Sequence, residues 1–233
     1  MDKAISWISS YTDGDANRHS TKPYAYPAYD CYNSPANDPA VLQDADLMAP
    51  GLLNVPVKIR SFCGLQGVRG ELEAGLARSE LARPLVEMQD ELIAELVGNL
   101  YAVLDDPAKR PPSVKATTLS KVLHRKRPNS LALHDKWVRA CYVGSDAPVP
   151  RAKTRSWAAY MTAVSQAIAR DLRQHERQFA QLQIASMAQP ALTDLRLLDI
   201  LAWNVGQNRP GGQSDPTNLE HWAKEMLSPT NMR

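Results

Sequence analysis

The sequence predicts an all-α fold, and three observations carry the prediction. Apolar residues recur with helical period in the longest patterns of the chain. The composition is rich in Ala and Leu, with only two Phe and eleven Gly among 233 residues. No long run has the continuous apolar character of a buried parallel strand. With 44% hydrophobic residues, such a chain has enough apolar surface to bury a substantial core.

Residues 1–12 read as a short helix. The stretch from Asp13 to Pro39 is rich in Pro, Asn, Asp, Ser and Tyr and reads as irregular. Tyr24, Tyr26, Tyr29 and Tyr32 fall within it beside Pro23, Pro27 and Pro35, too aromatic for a flexible linker. This segment is expected to lie ordered as an arm, its rings either packing onto helices or facing a ligand. From Asp44, DADLMAPGLLNVPVKI reads as a short helix broken near Pro50 and Pro56, and Cys63 to Leu81 is weakly helical. Between Leu85 and Leu104, Leu85, Met88, Leu92, Ile93, Leu96, Val97, Leu100, Tyr101 and Leu104 form one apolar stripe, predicting a central core helix.

After Pro111 and Pro112 a helix is expected near Thr117 to His124, then a break at Pro128, then another helix opening near His134 and running toward Gly144. Arg155 to Phe179 reads as one long amphipathic helix, with Trp157, Tyr160, Met161, Val164, Ile168 and Leu172 on its apolar face. Leu192 to Trp203 is a further helix. The expected organisation is an arm over 1–43, a helical domain over 44–205, and a polar tail over 206–233 packed on that domain, with a helical turn around Trp222.

The opening MDKAISWISSYTDGD has no basic stretch followed by an apolar core, so it does not read as a secretory signal. No apolar run reaches the roughly 20 residues of a membrane span. Cys31, Cys63 and Cys141 are odd in number and far apart, which argues against a disulfide framework and against a zinc site. The expectation is a cytoplasmic monomer with neither metal nor cofactor.

The net charge of +2 conceals an uneven distribution. Between Lys109 and Arg155 there are twelve Lys or Arg against Asp135 and Asp146, which leaves +10 in that segment and −8 in the rest. One segment so basic is either a solvated face or the electrostatic footprint of a polyanion-binding protein.

The informative stretch is Pro112 to Val138, PSVKATTLSKVLHRKRPNSLALHDKWV, which reads helix, break, basic residues, extended residues, acid, helix. It resembles the helix-hairpin-helix and aspartate segment of the endonuclease-III-like DNA glycosylase superfamily, in which a Gly-x-Gly hairpin and a Thr-Ala helix start precede a catalytic aspartate. With DLMAPGLLN upstream and LRLLDILAW downstream, the resemblance extends from about Tyr29 to Trp203 and points to an uncharacterised bacterial branch. It implies a helix-hairpin-helix glycosylase-like fold with the hairpin inside 112–138, at Ser113, Val114 and Lys115. It also implies phosphate contacts at Thr117 and Thr118, with double-stranded DNA as partner and Asp135 as the catalytic carboxylate. Both hairpin glycines are replaced, by Ser113 and Lys115. The lysine that forms a Schiff base in bifunctional members is matched here by Thr117, which implies a monofunctional enzyme.

A single carboxylate suffices for hydrolysis of an N-glycosidic bond, because it stabilises the oxocarbenium character of the sugar and orients or deprotonates a water. The nucleotide must first leave the stack. Lys121, Arg125, Lys126 and Arg127 are the expected phosphate-binding cations. Tyr24, Tyr26, Tyr29, Tyr32, Asp46, Asn54, His134, Asp199 and Trp203 are the expected base-pocket residues. Asp135 is equally placed to be an ordinary helix cap. The expected reaction is release of a modified base, for example a hypermodified cytosine of bacteriophage DNA in a defence role, leaving an abasic site. The alternatives are a non-catalytic helix-hairpin-helix DNA-binding module and a helical domain whose basic face binds an acidic protein.

Overall fold

A computed structural model describes residues 1–32 and 38–207. The expected packing of the tail and its turn at Trp222 lie outside the described residues, as does Pro35. The described chain is almost wholly helical. It runs through α1 (Asp2–Thr12), α2 (Gly14–His19), α3 (Ala28–Cys31), α4 (Asp44–Met48), α5 (Ile59–Gly67), α6 (Arg69–Leu76) and α7 (Asp90–Tyr101). It continues through α8 (Ala116–Lys126), α9 (Lys136–Tyr142), α10 (Trp157–Gln174), α11 (Glu176–Ala185) and α12 (Asp194–Gln207). Four short 3-10 turns link some of these, among them Ala49–Leu53.

Helices α7 and α10 pack along each other as the central pair, and α1 closes the other side against α11 and α12. One continuous core runs from Ala4 and Ile8 of α1 to Leu197 and Leu201 of α12. The two ends of the described chain therefore meet in space, and the arm lies between them. The Asn17 amide donates to the carbonyls of Tyr11 and Tyr26, each at 3.0 Å, and its oxygen accepts from the Tyr24 amide at 3.2 Å.

The stripe from Leu85 to Leu104 is not one helix. Leu85–Glu87 is a 3-10 turn, Met88 and Gln89 are extended, and α7 starts only at Asp90, where Asp90 and Glu91 suit the positive end of the helix dipole. Leu85 and Met88 remain buried, so the apolar pattern is real while the backbone under it is broken. The break is stable because Arg173 of α10 donates to the carbonyls of Val86 and Met88 that a continuous helix would have used itself.

The helix expected over Arg155 to Phe179 likewise divides at His175, whose ring nitrogen meets the Asp171 carbonyl at 2.9 Å and occupies an acceptor of the final turn. A two-residue parallel bridge pairs Val143–Gly144 with Val149–Pro150, too short to change the all-α character of the described chain.

Turns, with no helix, fill the stretch between the 3-10 turn Ala102–Leu104 and α8, so the hairpin is not entered directly from a helix. Ser113 keeps the left-handed conformation, at φ 61°, that a glycine would adopt without strain. The segment is held from behind by Gly64 of α5, where a Cβ would come within 3.0 Å of the Pro112 backbone nitrogen.

Candidate active site

Asp135 sits immediately before α9 in extended backbone, at φ −143° and ψ −168°, and its Oδ1 accepts from the amides of Trp137 at 2.8 Å and Val138 at 3.0 Å. One oxygen thus does all the capping. The other has no hydrogen bond among the described residues, and the side chain lines a cavity of about 400 Å³. A cap and a chemically available carboxylate are therefore compatible in one residue.

Ser120 of α8 fixes the position of this acid. Its hydroxyl accepts from the His134 amide at 3.0 Å and donates to the His134 carbonyl at 3.2 Å, which pins the backbone just before Asp135 to α8. Nothing in the spacing of Ser120 marks it as special, because the contact joins residues 14 apart across a break.

The cavity draws on distant parts of the chain. Tyr24 comes from the arm, Asn54 from the end of the 3-10 turn, Lys121 from α8, and Asp199 and Trp203 from α12. Asn54 lies at φ 58°, a conformation asparagine tolerates better than most residues. The aromatic wall is a packed group in which Tyr11 stacks on Tyr24 at 4.9 Å and Trp203 meets Tyr24 edge-on at 5.8 Å.

Behind that wall Arg196 is buried and saturated. It donates to Asp30 at 2.7 and 3.1 Å, to Asp199 Oδ2 at 2.5 Å and to the Tyr11 hydroxyl at 2.8 Å. Burial pushes the Tyr11 hydroxyl up to about 12. Burial likewise raises the Asp199 carboxyl above its ordinary value, against the opposing pull of Arg196 and then Lys121. Neither Arg196 nor Tyr11 was expected from the sequence. The available signal was an arginine inside the apolar run LRLLDILAW, three residues before an acid.

Of the residues expected at the site, Asp135, Tyr24, Asn54, Asp199 and Trp203 come together here, joined by Lys121. Lys121 does not sit on a phosphate-facing surface; it is 2% exposed and faces the cavity.

Arg125 and Lys126 are corrected more strongly. Their side chains are 6% and 3% exposed and hold Asp46, itself 2% exposed, at 3.0 and 3.2 Å. Arg125 also donates to the Tyr29 carbonyl at 2.7 Å. Asp46 therefore leaves the base-pocket set and the two cations leave the phosphate set, because together they form one buried ion cluster. Arg127 is half-buried and donates to the Leu76 carbonyl at 2.7 Å. In the hairpin segment, Val114 and Thr118 are buried and Thr117 is half-buried, whereas Ser113 and Lys115 are exposed.

His134 is a further correction. Its ring turns away from the cavity to meet the Tyr160 hydroxyl at 2.9 Å, and burial lowers its pKa to about 4, so it stays neutral at physiological pH.

The four tyrosines separate in the same way. Tyr26 is buried and its hydroxyl accepts from the Gln189 amide at 2.9 Å; Tyr29 is buried and donates to the Lys121 carbonyl at 2.7 Å. Tyr32 is exposed beside a second, larger and mainly apolar groove, which also involves Met48, Leu52, Ile59 and Phe62. Only Tyr24 of the four lines the cavity with Asp135. Tyr29→Ala, which loses a buried hydrogen bond, is accordingly expected to lower the melting temperature more than Tyr24→Ala does. Melting curves of the two variants check this, and equal losses contradict it.

Among the described residues no cluster of His, Cys, Asp or Glu is arranged to hold a metal ion. No described helix is long and apolar enough to cross a membrane.

Comparison with the curated proteins and with the solved structures gives no match. Residues 4–206 match a family described as a family of unknown function, DUF6308, and because the match spans most of the chain, the protein belongs to that family.

Proposed function

We propose that this protein is a monofunctional DNA glycosylase that hydrolyses the bond between deoxyribose and a modified base, with Asp135 as the catalytic residue. The observation that carries the reading is that Asp135, with one oxygen left over from capping, lines a cavity with aromatic walls. A volume of about 400 Å³ falls within the range of small-molecule sites, about 300–1,000 Å³. A base extruded from the duplex would lie against Tyr24 and Trp203, and its sugar against the carboxylate. As the bond breaks, the fixed negative charge stabilises the positive charge growing on the sugar, and the same oxygen accepts a proton from the attacking water.

In this reading the phosphates meet the cations that the fold leaves outside. Lys115 at the hairpin and Lys136 and Arg139 on α9 are exposed and flank the segment that presents Asp135. Neutralising phosphates releases counterions, so affinity falls steeply with salt. Replacing Lys115, Lys136 and Arg139 together by Ala should weaken duplex binding and flatten the salt slope by up to about three charges, while leaving the melting temperature nearly unchanged. An unchanged slope would remove this face from the interface.

The test of the function is incubation with duplexes carrying different modified bases, followed by mass analysis of the free bases released. Hypermodified cytosines belong in that panel, since a role against bacteriophage DNA requires their release. Tight duplex binding with no base released from any member would leave the protein a DNA-binding module.

A further inference from the structure

Besides Asp135 and the exposed Lys22, the cavity is lined by a buried cation and a buried acid whose polar atoms are not fully used. Lys121 is almost fully buried, yet its ammonium makes no ion pair or hydrogen bond with any described residue, and it faces the cavity. Its charge is felt by Asp199 across the cavity, and its donor hydrogens are left for a cavity ligand that offers an acceptor. Asp199 is held by a single contact, from Arg196 to Oδ2 at 2.5 Å. That contact anchors one oxygen of the carboxylate and leaves Oδ1 as an acceptor. Arg196 itself is spent on Asp30, Asp199 and Tyr11 and serves as the positioning residue behind the pocket.

A fixed acceptor and an unpaired donor in one aromatic-walled cavity match a planar ring whose edge carries the complementary pair, a donor beside an acceptor. We infer that Asp199 and Lys121 select an amino-bearing heterocycle, Asp199 accepting from an exocyclic amino group and Lys121 donating to the adjacent ring nitrogen. Cytosine and adenine rings present that edge. Uracil and hypoxanthine reverse it, placing a carbonyl against the carboxylate and a ring N–H against the ammonium. A site built on such hydrogen bonds rejects the mismatched ring strongly, because its own buried polar groups are then left unpaired.

The inference rests on the reading that the cavity takes a base, but its test does not depend on glycosylase activity. Free cytosine, adenine, uracil and hypoxanthine are titrated into the full chain and followed by saturation-transfer NMR. Cytosine and adenine are expected to bind at least about 10²-fold more tightly than uracil and hypoxanthine. In Asp199→Asn the Arg196 N–H keeps the amide oxygen, so the amide presents its NH₂ to the cavity and the preference for amino-bearing rings is lost. Lys121→Met keeps the bulk and lies outside the Arg196 network, so it remains folded while losing the same preference. Melting curves accompany both variants. Equal binding of cytosine and uracil, binding of neither, or an unchanged preference in folded Lys121→Met overturns the inference. Failure of base release from duplex DNA alone overturns only the proposed reaction.

Discussion

Asp135→Asn is expected to fold, to bind duplex DNA almost as the wild type does, and to release base about 10²–10⁴-fold more slowly. The amide keeps an oxygen where Oδ1 accepts from Trp137 and Val138, and asparagine caps helices about as well as aspartate. What it loses is the charge and the second, proton-accepting oxygen, which makes no hydrogen bond with any described residue. Gels run with and without alkali measure the abasic product, because strand breakage then requires base treatment. Under the proposed monofunctional reaction the wild type is expected to leave the strand intact, although the amine of Lys121 lines the same cavity. Borohydride trapping provides the check on that point. A trapped adduct at Lys121 would make the enzyme bifunctional, and sustained release by Asp135→Asn would remove the acid from catalysis.

The largest effect on stability is expected at Asp46. Its carboxylate is the counter-charge for Arg125 and Lys126, and all three side chains are almost without solvent contact. Asp46→Asn leaves two buried cations uncompensated, and removal of one partner from such a cluster costs about 3–5 kcal/mol. Denaturant unfolding should show the midpoint falling with little change in slope. Asp46→Leu combined with Arg125→Met and Lys126→Met removes the charges together, and it should recover much of that loss. An Asp46→Asn protein as stable as the wild type would mean that water reaches this cluster.

These two residues also show what sequence reading reaches in this chain. The cap at Asp135 is local, set by an acid followed by LysTrpVal, and local chemistry is legible in one dimension. The apolar face of α12 and its Asp199 and Trp203 are legible for the same reason. The ion cluster is not, because Asp46 meets Lys126 across 80 residues and no pattern within ATTLSKVLHRK reveals that its cations point inward. A charge count reads Arg125 and Lys126 as surface because lysine and arginine usually are. The break before α7 is hidden likewise. The residues that stabilise it belong to α10, while the apolar spacing across it remains helical. At Ser113, where the resemblance aligned a glycine, the serine itself holds the left-handed backbone, which its residue type does not announce.

Arg196 joins Tyr11, 185 residues earlier, to Asp30 and Asp199. On the ribosome the hairpin segment and Asp135 emerge well before α12, and α1 must wait for most of the chain before its partner exists. Contacts of such separation form late, because the loop they close must be ordered first. The unfinished chain thus carries Asp135 with no pocket around it, and the cavity is complete only once α1 and α12 have met.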